Sequence, residues 1–508
     1  MARSFSVFVI FFLFNFCYTH VQSNDQQGYI TIDISNKGLD FLKDLLLEKA
    51  ESSLLPLYLP KIEKAVKIPI VGRVHMVLSN ITMERIDVTS STVKTGDTGI
   101  LIAVSGATAN LSMNWKYSYS TWLIPIAVSD EGSATIRVEG LEIELTLSLK
   151  NLQGSLKLSV PDCGCDVKDI SIKLDGGASW LYQGLVNAFE GNIVSAVENA
   201  VSKKIKDGII KLDSALQSLP KEVPITNIAS LNVTFVEDPK LSESSLDLEI
   251  DGLLSAKDEN MVSNHDHKTL QASLSCKEVD KMVRISLHED VLNSASTVYF
   301  EAKKMHWIVD NVSDQSLLNT AGWRFIIPQL YKLYPNDDIN LNISVSSLPT
   351  IKIEKQHIVA TIPLDVVIDV LDAGEVIPVA GVSMVISASI SAEISGNTLY
   401  GSVKLNDFSM SLKWSKIGDL HMRLVQSVIS TMLKTVILPY VNLQLRKGHL
   451  LPVFHGYKLQ DAQIVYVDSW IVICSNVASP QKIQSCLVPA SRKGSLVHET
   501  ITRLDAGN

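Results

Sequence analysis

Apolar and polar residues alternate with a period of two through most of the first half of the chain. Val74, Met76 and Leu78 alternate, as do Ile100, Ile102 and Val104, and every second residue from Ala107 to Tyr119. Ile136 and Val138, Leu141 to Leu149, Leu156 to Val160 and Ile170 to Leu174 continue the pattern. One apolar and one polar face per segment predict a meander of antiparallel strands covering one side of a core. After Gly176-Gly177 the period changes. Leu181, Leu185, Phe189, Ile193, Val197, Val201, Ile205, Ile209, Leu212 and Leu216 recur every three or four residues. They predict an amphipathic helix over about 178–219 that stops at Pro220. The second half repeats the order: strands within 341–414, a helix over about 418–445 with a kink at Pro439, and a returning strand over 463–473.

Each half also opens alike. Tyr29 to Ser35 alternates and runs into the helical pattern Gly38 to Leu46; Met282 to Leu287 alternates and runs into Val291 to Phe300. A strand–helix–meander–helix order used twice predicts two related halves. We place the first at 24–230 and the second at 282–475, with 231–281 as a connector that adds to a central sheet and 476–508 as a polar tail.

Composition sharpens this picture. The chain is 46% hydrophobic and its mean hydropathy is +0.19. The apolar run Val7 to Phe14, preceded by Arg3 and closed at Ser23, reads as a secretory signal peptide over 1–23. The later candidate span, Thr361 to Ile390, carries Asp365, Asp369, Asp372 and Glu375, too many carboxylates for lipid. The apolar residues are therefore expected in a core or lining a cavity of a secreted, extracellular protein. Sequons at Asn80, Asn110, Asn232, Asn311 and Asn342 fit secretion as glycosylation sites. Beyond the signal peptide stand Cys163, Cys165, Cys276, Cys474 and Cys486. Cys474 with Cys486 closes a short loop and is the easiest pair; a bridge from Cys163 or Cys165 to another cysteine stays open, and the odd number leaves at least one cysteine free or paired between chains. The net charge of −9 excludes a nucleic-acid binder.

Catalytic and metal motifs are missing. There is no G-x-S-x-G, no phosphate-binding glycine loop, and Leu292 stands where a zinc-protease helix needs its second His. His265-Asp266-His267 reads as a solvated loop. No enzyme, cofactor or metal is called for.

The stretches Ile32-Asp33-Ile34-Ser35-Asn36-Lys37-Gly38-Leu39-Asp40-Phe41, Asn114-Trp115-Lys116, Leu292-Asn293-Ser294-Ala295 and Ile437-Leu438-Pro439-Tyr440-Val441-Asn442-Leu443-Gln444-Leu445 carry a resemblance. Together they resemble the family of bactericidal/permeability-increasing protein, lipopolysaccharide-binding protein and the plasma lipid-transfer proteins, its plant members most. The resemblance spans about residues 29–475. It implies an α+β fold of two tandem antiparallel β-barrels, each wrapped on a long amphipathic helix. A central antiparallel sheet would join them in a boomerang of the tubular lipid-binding type. Each barrel would hold acyl chains in an apolar pocket. On that basis Leu42, Leu46, Leu185, Phe189 and Ile193 are expected to line the N-terminal pocket, and Leu424, Val428 and Met432 the C-terminal one. Lys61, Lys64, Lys67, Arg73 and Lys116 are the candidate phosphate contacts.

The implied partners are lipopolysaccharide or phospholipid, met at a transient membrane or micelle surface. Lipopolysaccharide recognition in innate defence is the first reading, a carrier of host phospholipids or sterols the second, and a secreted lipid esterase the third. Two departures from the family stand out. Its strand-to-helix disulfide finds no Cys on the predicted helix. Residues 24–226 hold 20 Lys+Arg against 24 Asp+Glu, a net of −4, where the bactericidal relatives are basic.

Overall fold

The computed structural model describes residues 28–68, 72–120, 128–175, 179–256, 281–312, 315–450 and 457–478, and side chains from 188 onward in the long N-terminal helix. The signal segment, Cys276, Cys486 and the tail lie outside them. The chain begins with strand β1 (Ile30–Ser35) and helix α1 (Asn36–Leu54). The N-terminal meander follows: β2 (Leu57–Tyr58), β3 (Ile62–Ile68), β4 (Gly72–Asp87), β5 (Ser90–Gly96), β6 (Gly99–Tyr119), β7 (Val128–Leu152) and β8 (Ser155–Asp175), then helix α2 (Ser179–Gln217). Short strands β9 (Glu222–Pro224), β10 (Ala229–Asn232), β11 (Lys240–Leu241), β12 (Ser245–Ile250) and β13 (Leu254–Ala256) link the halves.

The second half repeats the order with β14 (Val283–His288), α3 (Glu289–Glu301), β15 (His306–Val309) and α4 (Pro328–Leu333). Its meander is β16 (Asp338–Val345), β17 (Thr350–Glu354), β18 (His357–Asp372), β19 (Glu375–Ser395) and β20 (Thr398–Ser415). Helix α5 (Met422–Met432), a π turn (Leu433–Ile437) and helix α6 (Leu438–Leu445) form one continuous rod. β21 (His449–Leu450), β22 (Lys458–Val467) and β23 (Trp470–Ala478) end the described chain. Pro439 has no N–H to give to the preceding turn, and the widened π turn directly before it absorbs that loss.

The repeated openings become neighbours. In the central sheet, of order β11-β12-β1-β14-β23-β22, β1 pairs antiparallel with β14, Ile30 opposite Leu287 and Ile34 opposite Val283. Antiparallel pairing sends α1 and α3 away from opposite ends of the sheet. Both helices are capped at the strand's last residue: Ser35 Oγ accepts the Gly38 N–H, and His288 Nδ1 accepts that of Asp290. The junction is close enough to require Gly38, where a Cβ would stand 2.3 Å from the Met282 carbonyl oxygen.

Each meander forms a seven-stranded antiparallel sheet: β2-β4-β6-β7-β8 with β3 and β5 at the sides, and β15-β16-β18-β19-β20-β21 with β17 on β18. Period-two patterning holds in the first: Val74, Met76 and Leu78 are buried while Arg73 before them and His75 between them are exposed. Trp115 turns inward, 1% exposed, donates its indole N–H to the Ser133 carbonyl at 2.9 Å and stacks on Tyr117; Lys116 turns outward.

The long helices close the sheets at their edges. β8 has an unpaired edge, and α2 supplies acceptors for it. Glu198 Oε1 takes the Val167 N–H at 3.1 Å and Asp213 Oδ1 the Leu158 N–H at 2.7 Å. From the opposite edge, Lys64 of β3 donates to the Ala188 carbonyl and Asn192 Oδ1 of α2. In the second half, Asn442 of α6 makes both bonds of a strand partner to Val403 of β20, and Gln426 of α5 donates to the Phe408 carbonyl. Helix side chains thus cover backbone groups that a sheet edge leaves open.

Candidate lipid-binding site

The interior of the N-terminal barrel divides into two zones. Around the first half of α2, Phe189, Ile193, Val197 and Val201 are at most 2% exposed and pack with Trp115, Leu111, Ile136 and Leu141. This zone is close-packed core. Around the second half, Ile205, Ile209, Leu212 and Leu216 are only half-buried, over Ile102, Leu145, Leu147 and Leu158. Val93, Ile100, Leu149 and Leu216 also belong to the cluster of Leu39, Leu246 and Leu248, so this looser apolar surface runs on to the central sheet.

The C-terminal barrel is looser along its helical rod. Ile429 and Leu433 lean on Val366, Val382, Met384 and Phe408, yet Val425 is the single buried residue of α5 and Leu445 that of α6. The residues facing them from the sheet, among them Ile343, Leu364, Ile386 and Leu405, are half-buried. The rod Met422–Leu445 is long and apolar enough to cross a membrane, and 6% of its most apolar window is buried. It is held to β20 by Gln426 and Asn442.

These zones correct several residue expectations. Phe189 and Ile193 are packed core and do not line open space. Leu42 and Leu46 are 41% and 37% exposed, because α1 turns Leu39 and Lys43 inward. Lys43 is buried and its ammonium reaches the Ser91 carbonyl of β5, Asp40 and Asp44. Leu424 is 46% exposed, whereas Val428 and Met432 are half-buried beside the sheet-facing line Val425, Ile429 and Leu433. The side chain of Leu185 lies outside the described residues. The apolar stripe of α2 is tightly packed from Phe189 to Val201 and looser from Ile205 to Leu216, and the line of α5 that faces the sheet is Val425, Ile429 and Leu433.

The candidate phosphate contacts do not act as one cluster. Lys67 and Arg73 are directly opposite each other on the outer face of β3 and β4. Lys116 shares that face but pairs with Glu131 at 3.0 Å, and Lys61 pairs with Glu63. Lys64 has the opposite parity, level with buried Met76, and is held on α2. Cys163 and Cys165 are free thiols facing Glu198, Ser202 and Lys206 of α2, so no strand-to-helix disulfide joins them. Burial, with Glu198 close by, pushes the Cys165 thiol up to about 12. Cys474 is disulfide-bonded. Among the sequons, Asn80, Asn110 and Asn311 are exposed, while Asn232 Oδ1 accepts from Thr234 and Asn342 Oδ1 bonds His306 Nε2 at 2.7 Å. Among the described residues no group of three or more His, Cys, Asp or Glu could hold a metal ion.

Two sheets closed by long helices over partly open apolar interiors define a two-domain lipid-binding fold. A crystal structure of lipopolysaccharide binding protein superposes with a TM-score of 0.59, covering 90% of this chain and 100% of that one at 22% identity, which shows the same fold. The LBP/BPI/CETP family models match residues 38–219 for the N-terminal domain and 224–478 for the C-terminal domain. An Arabidopsis thaliana protein assigned to the BPI/LBP family is 51% identical over 471 residues, covering 93% of this chain and 96% of that protein. Bactericidal permeability-increasing protein of Sebastes schlegelii is 25% identical over 88% of this chain and 94% of its own length. Lipopolysaccharide-binding protein of Homo sapiens is 24% identical over 87% and 92%. The chain belongs to the LBP/BPI/CETP family.

Proposed function

We propose that this is a secreted lipid-binding protein, not an enzyme, that takes acyl chains into the apolar interiors of its barrels and recognises bacterial lipopolysaccharide. The observation that carries acyl-chain binding is the half-buried apolar surface under Ile205, Ile209, Leu212 and Leu216 and under the rod Met422–Leu445. Burial of that surface by acyl chains supplies the affinity, at roughly 0.8 kcal/mol per CH₂. The names of the relatives support lipopolysaccharide, and Lys67 opposite Arg73 offers two cations for its phosphates. The ion pairs that occupy Lys61 and Lys116 favour a second reading, a carrier of phospholipid.

Native mass spectrometry of protein from its own source, with lipid extraction, tests the pocket. Recovery of bound acyl lipid is the expected result, and lipid-free protein overturns it. Retention of lipopolysaccharide at physiological salt, weakened by Lys67→Glu with Arg73→Glu, supports the first reading. Unchanged retention in that variant leaves the phospholipid carrier.

A further inference from the structure

The rod Met422–Leu445 is apolar on two sides. Leu445 is buried and Asn442 is bonded to β20, so this line faces the sheet. At 100° per residue, Tyr440 and Leu443 lie opposite that line. They are 48% and 59% exposed, with Val436 at 37% and Ile437 at 45% beside them. Leu450, just beyond the rod, is 83% exposed. Along the rod's own stretch of chain the charges are of one sign. From residue 420 to residue 450 there is no Asp or Glu, but Arg423, Lys434, Arg446 and Lys447, in a chain whose net charge is −9. All four are exposed, and among the described residues none makes an ion pair; Lys447 bonds only Gln444. The cations Lys61 and Lys116 of the other barrel are neutralised by neighbours.

We propose that this outer face of the rod is a docking surface for an anionic phospholipid bilayer. The rod lies flat on the surface: Val436, Ile437, Tyr440 and Leu443 enter the acyl boundary while Lys434, Arg446 and Lys447 reach lipid phosphates. The single-sign charge selects an anionic lipid surface as the occupant, and Gln426 and Asn442 keep the rod on its sheet. Docking brings the seam between rod and sheet to the membrane, where an acyl chain can pass to the barrel interior; that consequence rests on the lipid-binding reading above, whereas docking itself does not.

Flotation of the full mature chain with phosphatidylcholine vesicles, with and without phosphatidylglycerol, tests it. Binding is expected only to the anionic vesicles. Lys434→Ala with Lys447→Ala weakens it about thirtyfold, and Leu443→Asp abolishes it. Lys150→Ala with Lys173→Ala, exposed on the other barrel, leaves it unchanged. If Leu443→Asp does not fold, the lysine pair, exposed on the surface, still decides. Equal binding to neutral vesicles, insensitivity to the rod variants, or loss with the Lys150/Lys173 pair overturns the proposal. A wild-type dimer that Leu443→Asp dissociates overturns it in favour of self-association. Loss of co-purified lipid in Leu443→Asp with vesicle binding intact overturns it by assigning the face to the cargo cavity. Absence of vesicle binding with bound lipid still recovered removes the docking surface and leaves the lipid-binding reading standing.

Discussion

Asn442 completes the edge of a sheet from a helix. Its Nδ2 donates to the Val403 carbonyl at 2.9 Å and its Oδ1 accepts the Val403 N–H at 2.7 Å, the two bonds a neighbouring strand would have made. Glu198 and Asp213 do half of this for β8 in the other barrel. The long helices are thus fastened to their sheets by polar bonds at few points.

Replacing Asn442 by Ala leaves Val403 without its partner. A loss of about 1–3 kcal/mol is expected, together with faster hydrogen exchange at the Val403 amide. Unchanged protection of that amide in the variant would show that the clamp does not hold the rod.

The two zones of the N-terminal barrel respond differently to substitution. Ile193→Ala opens a cavity in close-packed core and costs about 2–5 kcal/mol in denaturant unfolding, while the folded fraction carries its usual lipid. Leu42→Ala, at an exposed site, changes stability by less than about 0.5 kcal/mol. Leu212→Trp fills the half-buried zone and lowers the lipid recovered per folded molecule. Equal stability losses at Ile193 and Leu42 would contradict the division.

Asp33 faces Asp247 on one side and Arg284 on the other across the central sheet. Burial and the hydrogen bond shared with Asp247 raise its pKa to about 6, against the pull of Arg284. A carboxyl raised on folding binds its proton more tightly in the native state. That contribution is present in full below the unfolded value near pH 4 and is lost as pH rises through about 6. Asp33→Asn is therefore expected to raise Tm above neutral pH and to leave it unchanged near pH 4. A lower Tm above neutral pH would mean that the attraction to Arg284 dominates.

Cys163 and Cys165 are free but their thiols are raised by burial, Cys165 to about 12. Alkylation of the native protein in mildly alkaline buffer, followed by peptide mapping, should leave Cys165 unmodified, and denaturation should expose both to modification. Rapid labelling of native Cys165 would show that β8 and α2 separate readily.

Local chemistry made the elements legible in the sequence. Period-two alternation marked the meanders, and the stripe from Phe189 to Leu216 marked a helix, because side-chain direction follows directly from backbone geometry. Pro439 announced its own disturbance of the last helix. The absence of acidic residues from 420 to 450 was equally plain in the sequence. Which stretch of a stripe is tightly packed was not, because it depends on what another element brings opposite it. Ile193 and Ile209 belong to one apolar pattern, yet the first meets Trp115 and its neighbours and the second a looser wall. The roles of Asn442, Glu198 and Asp213 depend on strands far away in the chain. The sequence by itself determined the strands, the helices and the duplication of their opening. Only the tertiary structure decided that the two openings pair with each other, that Lys64 turns to α2 while Lys67 meets Arg73, and that Tyr440 and Leu443 face outward, since each depends on register and helix phase set by long-range contact.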